Sequence, residues 1–167
     1  MTKAQMQNDR GTNQTMEAAK RVSIVSVKLC RESSILHEPR CIRHPGDVAR
    51  LVEMFLADSD REKIVAICLD TKHQPTAIST VSIGTLNSSM VHPREVFKTA
   101  ILSNSAAIIL AHNHPSGKPE PSKDDIDVTK RLVRAGEIIG IDVLDHVIIG
   151  GNDNYQSLRE LGVVEGL

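Results

Sequence analysis

The stretch Ala106-Ala107-Ile108-Ile109-Leu110-Ala111-His112-Asn113-His114-Pro115, with the Pro121-Ser122-Lys123-Asp124-Asp125 that follows it, decides how this chain is read. A short, unbroken apolar run is the pattern of a strand buried on both faces. It leads directly into the histidines. Three prolines and a glycine between Asn113 and Pro121 require a loop, and Ser122 then opens the longest helical pattern in the chain, which ends near Gly140.

Two residues spaced i, i+2 on an extended segment point to the same side, so His112 and His114 can converge while Asn113 faces away. Asp125 falls in the first turn of the next helix. It heads a stripe continued by Val128, Leu132, Ala135 and Ile139, which places it on the core-facing edge. A carboxylate there needs a strong partner to offset its desolvation, and a divalent cation would serve. Two imidazoles and a carboxylate suit one zinc ion. They leave its fourth position to water, whose pKa the metal can lower to about 7. Readings without a metal stay open. A His pair after a buried strand can bond to backbone, and Ser122 with Asp125 fits a capping box. Capping and ligation are compatible, because a carboxylate has two oxygens and a cap serine can also offer its hydroxyl to a substrate.

Outward from this stretch, His44-Pro45-Gly46-Asp47 opens a helix carrying Val48, Leu51, Val52 and Phe55 and stopping near Asp58. Ile64 to Leu69 and Thr76 to Ile83 read as a hairpin across the turn Asp70 to His73. His92-Pro93 opens a second helix with Val96, Phe97, Ala100 and Ile101. Val143 to Ile149 supplies a strand, and Tyr155 to Leu161 a short closing element. Val22 to Leu29 alternates enough to predict a further strand. Residues 1–20 read as a mobile polar tail and 21–167 as one domain. The irregular order of strands and helices predicts an α/β fold with a mixed sheet flanked by helices.

The 20 basic and 21 acidic side chains leave a net charge of −1, so no global positive field draws the protein onto nucleic acid. Aromatic platforms for single strands are scarce: Phe55, Phe97 and Tyr155 are the whole supply, and at least two are expected in the core. The three cysteines, Cys30, Cys41 and Cys68, form neither a CxxC pair nor an even set, which predicts a reducing compartment. With no apolar run in residues 1–20 to act as leader or anchor, the expected location is cytoplasmic, away from membranes. His146 is expected as a hydrogen-bonded core histidine that could support the site. His37, His44, His73 and His92 belong to turns and helix starts. Asp124, rotated about 100° from Asp125, is not expected to be a ligand.

The order His112-x-His114-Pro115, then Ser122 and Asp125, has the spacing H-x-H-P-x6-S-x-x-D of the JAMM (MPN+) motif. The flanks Val91-His92-Pro93-Arg94-Glu95-Val96-Phe97 and Asp145-His146-Val147-Ile148-Ile149-Gly150 resemble the RadC family, and the likeness runs from about Arg21 to Leu161. It implies a JAMM/MPN fold, similar to the cytidine-deaminase sheet, with His112, His114 and Asp125 holding zinc. It also implies Glu62 as general base and Ser122 as donor to the oxyanion. By local sequence alone Glu62 is a residue of a solvated turn. The implied activity is a zinc metallopeptidase acting on a peptide or protein. The alternative is a DNA-transaction accessory with a structural or weakly active zinc site. Longer RadC proteins carry an N-terminal helix-hairpin-helix module suited to DNA, whereas a short polar stretch stands here. A nuclease or deaminase fits poorly: the nuclease motif does not use three consecutive positions, and deaminases need H-x-E with a later P-C-x-x-C.

Overall fold

A computed structural model describes residues 20–56, 59–84, 91–151 and 153–164. Its elements are α1 (Pro45–Leu56), β1 (Lys63–Leu69), β2 (Pro75–Ile83), α2 (Pro93–Leu102), β3 (Ala107–Asn113), α3 (Lys123–Ile139), β4 (Asp142–Ile149) and β5 (Tyr155–Ser157). The sheet order is β2-β1-β3-β4-β5, with β3 and β4 parallel and the other neighbours antiparallel. A parallel pair needs a crossover, and α3 supplies it. This is the mixed α/β sheet flanked by helices that the sequence predicts.

Alternation along the central strands divides the core into two layers. Val65, Ile67 and Leu69 of β1, with Ile109 and Ala111 of β3, pack under Val48, Leu51, Val52 and Leu56 of α1. Ile64, Ala66 and Cys68, with Ile108 and Leu110, face Val96, Phe97 and Ala100 of α2 and Val128 and Leu132 of α3. All seven residues of β3 are buried, as a middle strand covered on both sides must be. The same parity sends His112 to the α3 side and Asn113 to the α1 side.

Three expectations are corrected. Val22 to Leu29 is not a strand: Val22 and Ile24 lie open to solvent, and the segment pairs with neither edge of the sheet. β-branched residues favour extended backbone, but a strand also needs a partner for its amides. Docking is instead firm from Ile42, which is buried and whose amide donates to the His73 carbonyl at 3.0 Å. The α3 stripe runs through Asp125, Val128, Thr129, Leu132 and Gly136, while Ile139 is exposed at the helix end. There Gly140 takes the left-handed C-cap (φ 78°). Of the three aromatics only Phe97 is buried.

Residues 1–19 of the tail read at 1–20 lie outside the described residues, as does the predicted end of α1 at Asp58. Among the described residues no helix is long and apolar enough to cross a membrane. Cys30, Cys41 and Cys68 are unpaired thiols.

Asp47 shows how α1 is anchored. Burial alone would raise its pKa, but the backbone amides of Arg43 and His44 and the Arg50 guanidinium outweigh that and hold it below the usual value. A carboxyl that is more acidic folded than unfolded adds stability above its unfolded pKa, and loses it as pH falls through the folded value. Asp47→Asn should therefore be less stable than the parent at pH 7. The gap should narrow once the pH drops below about 4, the region of an ordinary Asp pKa. Urea melts at both pH values measure it; a gap that widens on acidification would contradict the assignment.

Candidate metal centre

The centre forms where β3 ends beside the N-terminus of α3. His112 is the last residue of β3 on the α3 side and is fully buried. His114 follows just past the strand and is held by two bonds: its amide donates to the Ile149 carbonyl at 2.9 Å, and its Nδ1–H donates to the Lys118 carbonyl at 2.7 Å. The neutral His114 ring therefore presents a lone pair at Nε2. The loop carrying Lys118 is pinned to the β4–β5 turn by Gly151 N–H to Gly117 O. Gly150 has no room for a side chain, because a Cβ would stand 2.7 Å from the Gly117 carbonyl oxygen.

Ser122 and Asp125 form the expected capping box: Asp125 N–H donates to Ser122 Oγ at 3.2 Å, and Ser122 N–H donates to Asp125 Oδ2 at 2.7 Å. The Ser122 hydroxyl also donates to Oδ2, at 2.6 Å. All of this uses one carboxylate oxygen. The other, Oδ1, is buried with no hydrogen bond and lies 3.4 Å from His112 Nε2.

The two Nε2 atoms are 3.0 Å apart, and His114 Nε2 is 3.6 Å from Asp125 Oδ2. Glu62, preceding β1, brings Oε1 to 3.7 and 3.6 Å from the two Nε2 atoms. The four side chains each offer a donor atom within 4.8 Å of the others and could hold a metal ion. Tetrahedral ligands at zinc distances stand about 3.3 Å apart, close to these spacings. A buried carboxylate oxygen without a partner, facing imidazole nitrogens that converge on it, is a donor set that fits a cation.

Titration follows the same layout. Burial first, then the neighbouring His146, pushes His112 well below the usual histidine value. Burial also brings His146 down to about 4. The Asp125 carboxylate is the main cause that raises His114. Asp125 itself stays strongly acidic: desolvation is outweighed by His114, His112 and Ser122.

The structure thus brings Glu62, His112, His114 and Asp125 together, with Ser122 at the rim. Asp124 is exposed, apart from them. His92 caps α2, its Nδ1 accepting the Arg94 amide. Two further roles become visible. Asn113 reaches across to the α1 side, where its Oδ1 accepts the Lys63 amide at 2.8 Å and its Nδ2 donates to the Arg61 carbonyl at 3.1 Å. It thereby clamps both residues flanking Glu62. Thr129 lies under the centre, where its hydroxyl meets His146. The sequence signal for Thr129 was its place four residues after Asp125, on the buried face of α3.

A cleft of about 790 Å³ opens beside His114, between α1 and the β4–β5 turn, with Arg50, Glu53, Asn154 and Tyr155 among its walls.

A mixed five-stranded sheet that presents two strand-end histidines and a helix-start aspartate to one point defines a JAB-type α/β domain with a group of side chains that could hold a metal ion. Residues 42–163 match the RadC-like JAB domain, and the chain belongs to that family. It is 59% identical over 123 residues to a UPF0758 protein of Desulforamulus reducens, covering 74% of this chain and 54% of the relative. A UPF0758 protein of Rubrobacter xylanophilus is 46% identical over 150 residues, or 89% of this chain and 65% of the relative. One of Methanosarcina barkeri is 48% identical over 135 residues, or 80% and 58%. The chain spans only 54% of the length of the Desulforamulus relative.

Proposed function

We propose that the chain is a zinc-dependent hydrolase that cleaves a peptide or isopeptide bond in a protein substrate, with His112, His114 and Asp125 holding one zinc ion. The observation that carries this reading is Asp125 Oδ1, buried without a hydrogen bond and aimed at His112 Nε2. Leaving such an acceptor unmet costs about 1–3 kcal/mol, which a cation removes. Two imidazoles and a carboxylate favour zinc over hard cations, which prefer oxygen ligands. When bound, zinc would supply Lewis acidity that activates water near neutral pH.

The chain's own residues would do the rest. Glu62, partly exposed at the rim, is placed to take a proton and pass it to the leaving amine. Ser122 would donate to the oxyanion that develops on the substrate carbonyl. Its proton rests on Asp125 Oδ2, so the role requires the hydroxyl to turn away, and Ser122 N–H remains to hold Oδ2. The cleft beside His114, about 790 Å³, has the size of a ligand-binding site.

The test is metal analysis of the purified chain beside His114→Ala. The parent should carry zinc near one equivalent, and the variant should retain a small fraction of it after dialysis. Parent protein that takes up no zinc when it is supplied would end the proposal.

A further inference from the structure

We propose that Thr129 and His146 are positioning residues that fix the tautomer of His112, so that its Nε2 is always a lone-pair donor toward the metal. This rests on the preceding reading that His112 is a ligand, and it adds two residues which that reading does not use.

Single protons set the direction of every bond in the relay. Thr129, fully buried on α3, has one hydroxyl proton and two neighbours: the Asp125 carbonyl oxygen at 2.6 Å and His146 Nδ1 at 2.6 Å. A carbonyl oxygen can only accept, so the proton goes to Asp125 O. The hydroxyl oxygen must then accept from His146, which places a hydrogen on His146 Nδ1. A neutral His146 is left with a bare Nε2, and this atom lies 2.7 Å from His112 Nδ1. His112 must therefore carry its hydrogen on Nδ1. Its Nε2 is left unprotonated, at the point where His114 Nε2 and Asp125 Oδ1 converge.

Each link has one direction, and the chain begins and ends at proposed ligands: the backbone of Asp125 and the ring of His112. Three elements are joined by it, because His146 lies on β4 in register with Leu110 of β3, and Thr129 lies one helical turn after Asp125. An unprotonated Nε2 at His112 does not have to shed a hydrogen to bind metal. With valine at 129, the His146 ring loses its proton acceptor, and both its tautomers become available. The His112 ring then follows it. Loss of such outer partners of a metal-ligating histidine typically lowers metal affinity about 10- to 100-fold.

Two measurements on the full chain decide the matter. In the metal-free parent, long-range nitrogen NMR of the imidazoles should show His112 with hydrogen on Nδ1 and a bare Nε2; hydrogen on Nε2 would overturn the relay whatever the metal does. In chelator competition for zinc, Thr129→Val should bind about 10- to 100-fold more weakly than the parent, while Thr129→Ser, which keeps the hydroxyl, should recover most of the loss. A folded Thr129→Val that binds zinc like the parent also overturns it. If that variant does not fold, the tautomer of His112 in the parent supports or overturns the relay by itself. A parent that binds no zinc refutes the hydrolase reading, whereas the NMR result stands apart from it.

Discussion

Asp125→Asn is expected to remove the metal without unfolding the protein. In the capping box Oδ2 receives the Ser122 amide and hydroxyl at 2.7 and 2.6 Å. Only an acceptor suits that position, so the asparagine carbonyl takes it and the cap survives. The amide nitrogen is then left where Oδ1 stood, 3.4 Å from His112 Nε2. It brings hydrogens to a point where a cation needs electron pairs. Losing an outer partner already weakens such sites about 10- to 100-fold, and replacing a charged ligand by a donor should exceed 100-fold. Linkage gives the measurement. Zinc at one hundred times its dissociation constant should stabilise the parent by about 2.7 kcal/mol in denaturant melts, and the variant should show no shift over the same range. With chelator present the two proteins should melt cooperatively at similar denaturant. Zinc-dependent stabilisation of Asp125→Asn would mean that Asp125 serves only as a cap.

The residues that were legible in the sequence are those fixed by local geometry. An extended backbone forces His112 and His114 to one side, and the run before them reads as a covered strand. Asp125 was legible because helical spacing put it on the buried face, although the apolar spacing points on to Ile139 while the buried face turns through Thr129 and Gly136. Glu62 was not legible in this way. Its neighbours are a polar turn, and its approach to the histidines comes from the antiparallel pairing of Ile64 with His112, a contact between distant parts of the chain. Only the resemblance to RadC proteins singled it out. His146 is the hydrogen-bonded core histidine the sequence predicts, because a buried imidazole needs partners and has them in His112 and Thr129; its support of the site is the relay proposed above. Val22 to Leu29 failed for the opposite reason to Glu62: its local signal was good, but nothing among the described residues pairs with it.

The placement of Glu62 leads to the second large expected effect. Asn113, turned away from the candidate metal centre by the same parity that turns the histidines toward it, accepts the Lys63 amide and donates to the Arg61 carbonyl. Gly84 N–H donates to the carbonyl of Glu62 itself at 2.8 Å. The backbone on both sides is held independently of the glutamate side chain, so Glu62→Gln should leave the segment in place and change only the capacity to accept a proton. A side chain that shuttles a proton in the transition state contributes about 100- to 10,000-fold to rate, and turnover of a cleaved peptide should fall by that factor. Zinc content should stay at the parent level, since His112, His114 and Asp125 remain. The two readouts must be taken on one preparation. Unchanged turnover would remove Glu62 from the chemistry. Loss of zinc together with activity would make it a fourth ligand, a position its 3.6 and 3.7 Å approach to the two imidazoles also permits. Retained zinc with lost turnover is the outcome that a proton carrier beside a three-residue metal site requires.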